Sequence, residues 1–152
     1  MIRIYVDTSV FGGIFDKEFC EPTKQFFTEI DQGNFTLVTS AIVDAELEPA
    51  PKSVRELFLK YSDIAEIATI DRKTLELQQE YIKSGIVTQK SLDDALHVAI
   101  ATVSECKLIV SWNFKHIVHF DKIPKYNAVN ILKGYNQIGI YSPLEIINYE
   151  NS

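Results

Sequence analysis

The sequence predicts an α/β fold, a three-layer α/β/α sandwich whose central sheet is mostly parallel. Short apolar, β-branched runs alternate with segments of helical periodicity along the chain, a pattern typical of a parallel sheet covered by helices. The 152 residues fit one domain, residues 1–152. With 46% apolar and 24% charged residues, the composition excludes disordered, collagen-like and coiled-coil proteins.

Five apolar runs are expected to form the strands. The first, Ile2–Val6, is β-branched and stops at Asp7, which indicates a strand buried on both faces. The other strands are expected at residues 35–39, 64–70, 107–111 and 137–141. Gly12 and Gly13 follow the first strand and predict a loop.

Helical spacing of apolar residues fills the remaining segments. Helices are expected at residues 23–30, 41–48, 53–61, 72–83, 92–105 and 125–132, with a last helical turn from Pro143. Ser40, Asp71 and Ser91 stand at N-cap positions. The helix at residues 92–105 is apolar nearly all round, so we expect it to be central and buried.

Charge and cysteine usage narrow the class of protein. The net charge of −6 excludes a uniformly basic nucleic-acid binder but leaves room for a local basic patch. Cys20 and Cys106 stand far apart and predict neither a disulfide framework nor a zinc site, so we expect reduced thiols in a cytoplasmic protein. No segment approaches the roughly 18 apolar residues of a membrane span.

Polar side chains stand where such a sheet has its ligand crevice, beyond the carboxyl ends of the strands. Asp7 and Asn113 each follow a strand, Glu46 lies in the short helix after the second strand, and Asp93 and Asp94 begin a helix. Each has a structural explanation, as a turn residue, a helix cap or an exposed helix charge. Carboxylates that meet would recruit a cation, and oxygen ligands favour Mg²⁺ or Mn²⁺ over zinc.

The helix that carries Glu46 has its own expected burial pattern. Its buried stripe is predicted to consist of Ala41, Ile42 and Ala45, with Leu47 at its edge. Glu46 flanks this stripe, and an exposed position would therefore also explain it.

Four motifs, in order and at similar spacing, resemble the PIN domain and, among its members, the VapC-like ribonuclease toxins. They are VDTSV at residues 6–10, TSAIVDAEL at 39–47, DDALHVA at 93–99 and LIVSWNF at 108–114. The resemblance implies a metal-dependent endoribonuclease that cleaves single-stranded RNA with Mg²⁺ or Mn²⁺. It also implies a homodimer and an antitoxin protein as a further partner.

The resemblance assigns roles by position. Asp7, Glu46 and Asp94 match the three acids of the family, and Asp93 is a neighbouring candidate ligand. Asn113 stands where many members carry a fourth aspartate, and it is the fourth expected catalytic position. Because an amide supplies no charge, the alternative of a non-catalytic interaction module with a degenerate acidic site stays open.

A second enzyme class is disfavoured by the residues around Asp7. A phosphatase with an aspartyl nucleophile usually has a second acid two residues later, where this chain has Ser9. A nucleotide-binding enzyme is also disfavoured, because no Gly-rich phosphate loop follows any expected strand.

The segment at residues 107–133 combines five lysines with interleaved aromatic rings and only one acid, Asp121. Lysines that contact phosphates and rings that stack on bases suit single-stranded RNA. The residues expected to contact RNA are Ser9, Ser111, Lys115, His116 and His119. Trp112 and Phe114 are expected in the core, and His97 is expected to be a hydrogen-bonded core histidine.

Overall fold

A parallel sheet of five strands forms the centre of the protein in a computed structural model. The structure describes residues 1–148, and residues 149–152 of the predicted domain lie outside the described part. The strands are β1 (Ile2–Val6), β2 (Phe35–Ser40), β3 (Glu66–Ala68), β4 (Leu108–Val110) and β5 (Gly139–Tyr141). Their order is β3-β2-β1-β4-β5, so β1 is the central strand.

The strand register joins segments that are distant in the sequence. Ile4 of β1 is opposite Leu37 of β2 on one side and Leu108 of β4 on the other, and all four pairings are parallel. The carboxyl ends of β1, β2 and β4 therefore lie at one edge of the sheet. This edge receives the residues that follow each strand.

Helices cover the sheet on both sides, and the predicted three-layer α/β/α fold is confirmed. They are α1 (Thr8–Gly13), α2 (Cys20–Asp31), α3 (Ala41–Leu47), α4 (Lys52–Ser62), α5 (Arg72–Lys83), α6 (Leu92–Val103), α7 (Lys122–Leu132) and α8 (Pro143–Asn148). One layer contains α1 to α4 and α8, and the other contains α5 to α7. A 3₁₀ turn, Gln89–Ser91, precedes α6.

The prediction for α6 is confirmed, because every residue from Ala95 to Thr102 is buried. The helix packs against α5 and against β4, so both its faces are covered. The prediction for Trp112 is also confirmed, whereas Phe114 is 44% exposed. Within residues 1–148, no helix has the length and apolar character needed to cross a membrane.

Several local predictions are wrong. The expected loop at Gly12 and Gly13 is the last part of α1, because neither glycine has a positive φ and both continue the helix. Ser40 and Ser91 occupy N-cap positions but make no side-chain cap hydrogen bond. Asp71 does cap α5, since its carboxylate accepts from the Thr74 backbone N–H at 3.1 Å.

The burial pattern of α3 also differs from the prediction. Its buried residues are Val43 and Leu47, while Ala41 and Ala45 are exposed. The helix is therefore rotated about its axis relative to the expected stripe. Glu46 still lies beside the buried face and is half-buried.

Candidate active site

Asp7 lies at the end of the central strand and is held by two serine hydroxyls. Its backbone N–H donates to Val110 O at 3.2 Å, which continues the pairing of β1 with β4. Ser9 Oγ donates to Asp7 Oδ1 at 2.6 Å, and Ser111 Oγ donates to Asp7 Oδ2 at 2.7 Å. The residue is only 4% exposed. Burial raises the pKa of the Asp7 carboxyl, although His97 and the two hydroxyls oppose that shift.

Glu46 projects from α3 and meets groups from α1 and α6. Its Oε1 accepts from Thr8 Oγ1 at 2.6 Å and contacts His97 Nε2 at 2.5 Å. Burial alone would raise the pKa of Glu46. The hydrogen bond and charge of His97 outweigh burial, and the pKa is lowered.

Asp94 lies in the first turn of α6 and faces the loop after β4. Asn113 Nδ2 donates to Asp94 Oδ1 at 2.9 Å, and Asn113 Oδ1 accepts from the His116 backbone N–H at 2.9 Å. Asp94 is half-buried, and burial is the main cause of its raised pKa. Asp93, its neighbour, is exposed.

Asp7, Glu46 and Asp94 therefore lie in one region around His97, although they come from three separate elements. After burial, the charge of Glu46 is a further cause that raises the pKa of both aspartates. Like charges that perturb one another favour either proton uptake or a bound cation. The arrangement can thus attract a divalent cation.

The residues expected to contact RNA separate into two groups. Ser9 and Ser111 point at Asp7, and Ser111 is fully buried. Lys115 is exposed on the loop after β4, while His116 and His119 are half-buried there. The charge of His116 lowers the pKa of Asp94, which places this loop beside the acids.

The five lysines of the segment at residues 107–133 do not form one surface. Lys107 precedes β4 and therefore lies at the opposite edge of the sheet from Asp7. Three of the other lysines have a partner for their side chain. Lys122 donates to Ile86 O, Lys125 pairs with Asp121, and Lys133 pairs with Glu80. Within residues 1–148, the side chains of Lys107 and Lys115 make no such contacts, and of these two Lys115 lies on the loop that follows β4.

The donor chemistry fits a hard cation, although no ready cage is present. Within residues 1–148, no three His, Cys, Asp or Glu side chains are grouped closely enough to enclose a metal ion. Glu46 Oε2 and Asp94 Oδ2 carry no hydrogen bond from any described residue. These oxygens, with the remaining lone pairs of Asp7, are ligands of the kind that Mg²⁺ and Mn²⁺ prefer.

Sequence reasoning missed the contacts that hold the acids. Thr8 and Ser9 follow Asp7 directly in the sequence, and this position indicated that their hydroxyls could contact the acids. His97 is the hydrogen-bonded core histidine that was predicted, and its partners are Glu46 and Tyr5. No local pattern indicates those two contacts, because they join residues 51 and 92 positions apart.

Comparisons with solved structures show where this fold recurs. VapBC2 from Rickettsia felis, described as bound to a DNA fragment from their promoter, aligns with a TM-score of 0.58 and 16% identity. FitAcB from Neisseria gonorrhoeae aligns with a TM-score of 0.55 and 13% identity. In both cases the alignment covers 93% of this chain and 98% of the other. These likenesses concern the fold.

A comparison with protein-family models shows the family to which the chain belongs. Curated proteins gave no significant match. The model of the PIN domain matches residues 4–123, which include most of β1, all of β4 and the three acids between these strands in the sequence. The chain therefore belongs to the PIN domain family.

Proposed function

We propose that the chain is a divalent-metal-dependent endoribonuclease that cleaves single-stranded RNA. The observation that supports the proposal is that Asp7, Glu46 and Asp94, three acids from separate elements, lie around His97 at the carboxyl edge of a parallel sheet. Two of these carboxyls have raised pKa values, so their ionised forms gain from a nearby cation. Membership of the PIN domain family supports a nuclease.

The three acids are the proposed ligands of Mg²⁺ or Mn²⁺. Mg²⁺ usually keeps several waters in its coordination shell, so direct contact with all three acids and an enclosing cage are both unnecessary. When bound, the cation supplies positive charge for the phosphate and lowers the pKa of a coordinated water. Asp93 is exposed and is assigned a peripheral role, as a charge that perturbs Asp94.

The surrounding side chains hold the acids and bind the substrate. Ser9 and Ser111 each donate a hydrogen bond to Asp7, and we assign them to positioning this carboxylate. Asn113 orients Asp94 through its amide. The substrate contacts are assigned to the loop after β4, through Lys115, His116 and His119.

The biological setting belongs to the same proposal. The VapC-like motifs and the fold shared with VapBC2 and FitAcB support a toxin of a toxin–antitoxin pair. Its partners would be an antitoxin protein and a second copy of the chain, and its compartment the cytoplasm.

The test compares two adjacent aspartates of equal charge. Wild type, Asp94→Asn and Asp93→Asn are incubated with labelled single-stranded RNA in Mn²⁺, Mg²⁺ or EDTA. We expect cleavage that requires metal and falls about 100-fold or more in Asp94→Asn, but stays close to wild type in Asp93→Asn. Equal cleavage by all three proteins would point to a contaminant or to another site.

The non-catalytic interaction module is supported by one observation, the amide of Asn113. It gives Asp94 a neutral hydrogen-bond partner where a fourth carboxylate would give charge. A folded wild-type protein that neither cleaves RNA nor binds Mn²⁺ at millimolar concentration would favour this alternative.

A further inference from the structure

Glu46 is one end of a buried chain of hydrogen bonds. Its Oε1 contacts His97 Nε2 at 2.5 Å, and His97 Nδ1 lies 2.8 Å from the Tyr5 hydroxyl. The Tyr5 hydroxyl also lies 2.8 Å from Ser40 Oγ. His97 is 2% exposed and Tyr5 is fully buried, so water does not compete for these contacts.

The chain connects the elements that carry the acids. Glu46 belongs to α3, Tyr5 to β1, and His97 to α6, three residues after Asp94. Residues three apart lie on the same side of a helix. His97 therefore ties the carboxylate of Glu46 to the face of α6 that presents Asp94.

The contact also determines which nitrogen of the imidazole carries a proton. The Glu46 carboxylate only accepts, so the His97 Nε2 must be the donor. Both nitrogens are then occupied, and the ring cannot turn without breaking two hydrogen bonds. Thr8 Oγ1 also donates to Oε1, so His97 supplies one of the two hydrogen bonds that restrict the rotamers of Glu46.

We propose that His97 is a positioning residue for Glu46, whose carboxylate it holds in one orientation, in which it would serve the divalent cation of the proposed function. The inference rests on the proposed function, since it assigns a task within the same site. Hydrogen-bond partners of metal-ligating groups typically change metal affinity by about 10- to 100-fold when removed. A histidine that only satisfied polar atoms in the core would affect stability and leave metal affinity unchanged.

Two substitutions of His97 test the contact made by each ring nitrogen separately. His97→Gln keeps an amide donor near the position of Nε2 and can still reach Glu46. His97→Asn ends near the position of Nδ1 and can reach only Tyr5. The matched pair thus differs in the contact to Glu46 and is similar in polarity.

The experiment measures Mn²⁺ affinity from the EPR signal of the free ion, together with RNA cleavage and the thermal unfolding midpoint. We expect His97→Asn to weaken Mn²⁺ binding about 10- to 100-fold and His97→Gln to restore most of it. In a Glu46→Ala background, His97→Asn should cause no further loss, because the two residues act as a unit.

The outcomes distinguish this inference from the proposed function. Wild-type Mn²⁺ affinity that His97→Asn leaves unchanged, or weakens equally in the Glu46→Ala background, overturns the positioning role alone. A wild type without Mn²⁺ affinity overturns both. Should His97→Asn not fold, Tyr5→Phe removes the hydroxyl that orients the ring. We then expect weaker Mn²⁺ binding, and unchanged binding by that variant would also overturn the inference.

Discussion

Gly13 is a position where one added methyl group should clearly lower the stability of the protein. A Cβ there would lie 2.7 Å from Trp112 Nε1, 2.8 Å from Trp112 Cδ1 and 2.9 Å from Thr23 Oγ1. Ordinary contacts between heavy atoms are about 3.5–4.0 Å. The indole has little room to retreat, because it donates to Thr23 and stacks on Phe19 with ring centroids 4.1 Å apart.

The adjacent Gly12 is the matched control. It belongs to the same helix, and a Cβ there would meet nothing within 4 Å. Gly12→Ala should therefore stabilise the protein by up to about 1 kcal/mol, since alanine loses less backbone entropy in a helix. Gly13→Ala should instead destabilise it by about 1–3 kcal/mol, the usual cost of overpacking.

Urea unfolding, followed by far-UV circular dichroism and by fluorescence, measures the difference. Trp112 is the only tryptophan of the chain, so its emission reports directly on the contact. With a slope of about 2 kcal/mol per molar urea, Gly13→Ala should lower the midpoint by about 0.5–1.5 M and Gly12→Ala should raise it slightly. Trp112→Phe should recover part of the loss in the Gly13→Ala background. If Gly13→Ala were as stable as Gly12→Ala, the close packing described above would be refuted.

Three further outcomes are expected. In EDTA at pH 7, Asp7→Asn should raise the thermal unfolding midpoint by a few degrees, because it removes a buried charge. Since the folded-state pKa of Asp7 is raised, the contribution of Asp7 to the stability of wild type falls as pH rises above about 4. The higher midpoint of Asp7→Asn should thus return to that of wild type near pH 4. A midpoint of Asp7→Asn below that of wild type at pH 7 would contradict this prediction. Asn113→Asp places a carboxylate against Asp94, so it should lower the thermal unfolding midpoint of the metal-free protein and strengthen Mn²⁺ binding measured by calorimetry. An unchanged Mn²⁺ affinity would argue against a cation site shared by these two residues. Burial raises the pKa of the Cys106 thiol to about 11. At pH 8, iodoacetamide should therefore modify the half-buried Cys20 before Cys106. The rate of modification of Cys106 should rise about tenfold for each added pH unit, as followed by intact mass spectrometry. Equally fast modification of both thiols at pH 8 would contradict that order.

The features that the sequence predicts well are those encoded by neighbouring residues. The bounds of β1 coincide with one apolar run, and the burial of α6 follows from a helix without a polar face. In both cases a local pattern was sufficient. The rule that residues after parallel strands gather at one edge singled out Asp7 and the helix of Glu46 as candidate site residues, whereas Asp94 follows no strand and was matched through the resemblance. The roles of these three acids stay a prediction.

The predicted burial pattern of α3 was wrong because two sets of residues fit the spacing of a buried helix face equally well. In α3, both the set with Ala41 and Ala45 and the set with Val43 and Leu47 have helical spacing, and only packing against α1 and α4 selects the second. The lysines of residues 107–133 do not share one surface, for a geometric reason. A strand carries the chain from one edge of the sheet to the other, so Lys107 and Lys115 are close in sequence and separated in space.

The side chains that hold Asp7 explain why the site depends on the sheet. Ser9 is two residues away and would be near Asp7 in many conformations, whereas Ser111 is 104 residues away and approaches only when β1 pairs with β4. A buried carboxylate without both hydroxyls would be costly, since burial already raises its pKa. The charged form of Asp7 is therefore tolerated only after these two strands are joined. Substitutions that loosen β4 should accordingly impair the acidic site even where they touch none of its carboxylates.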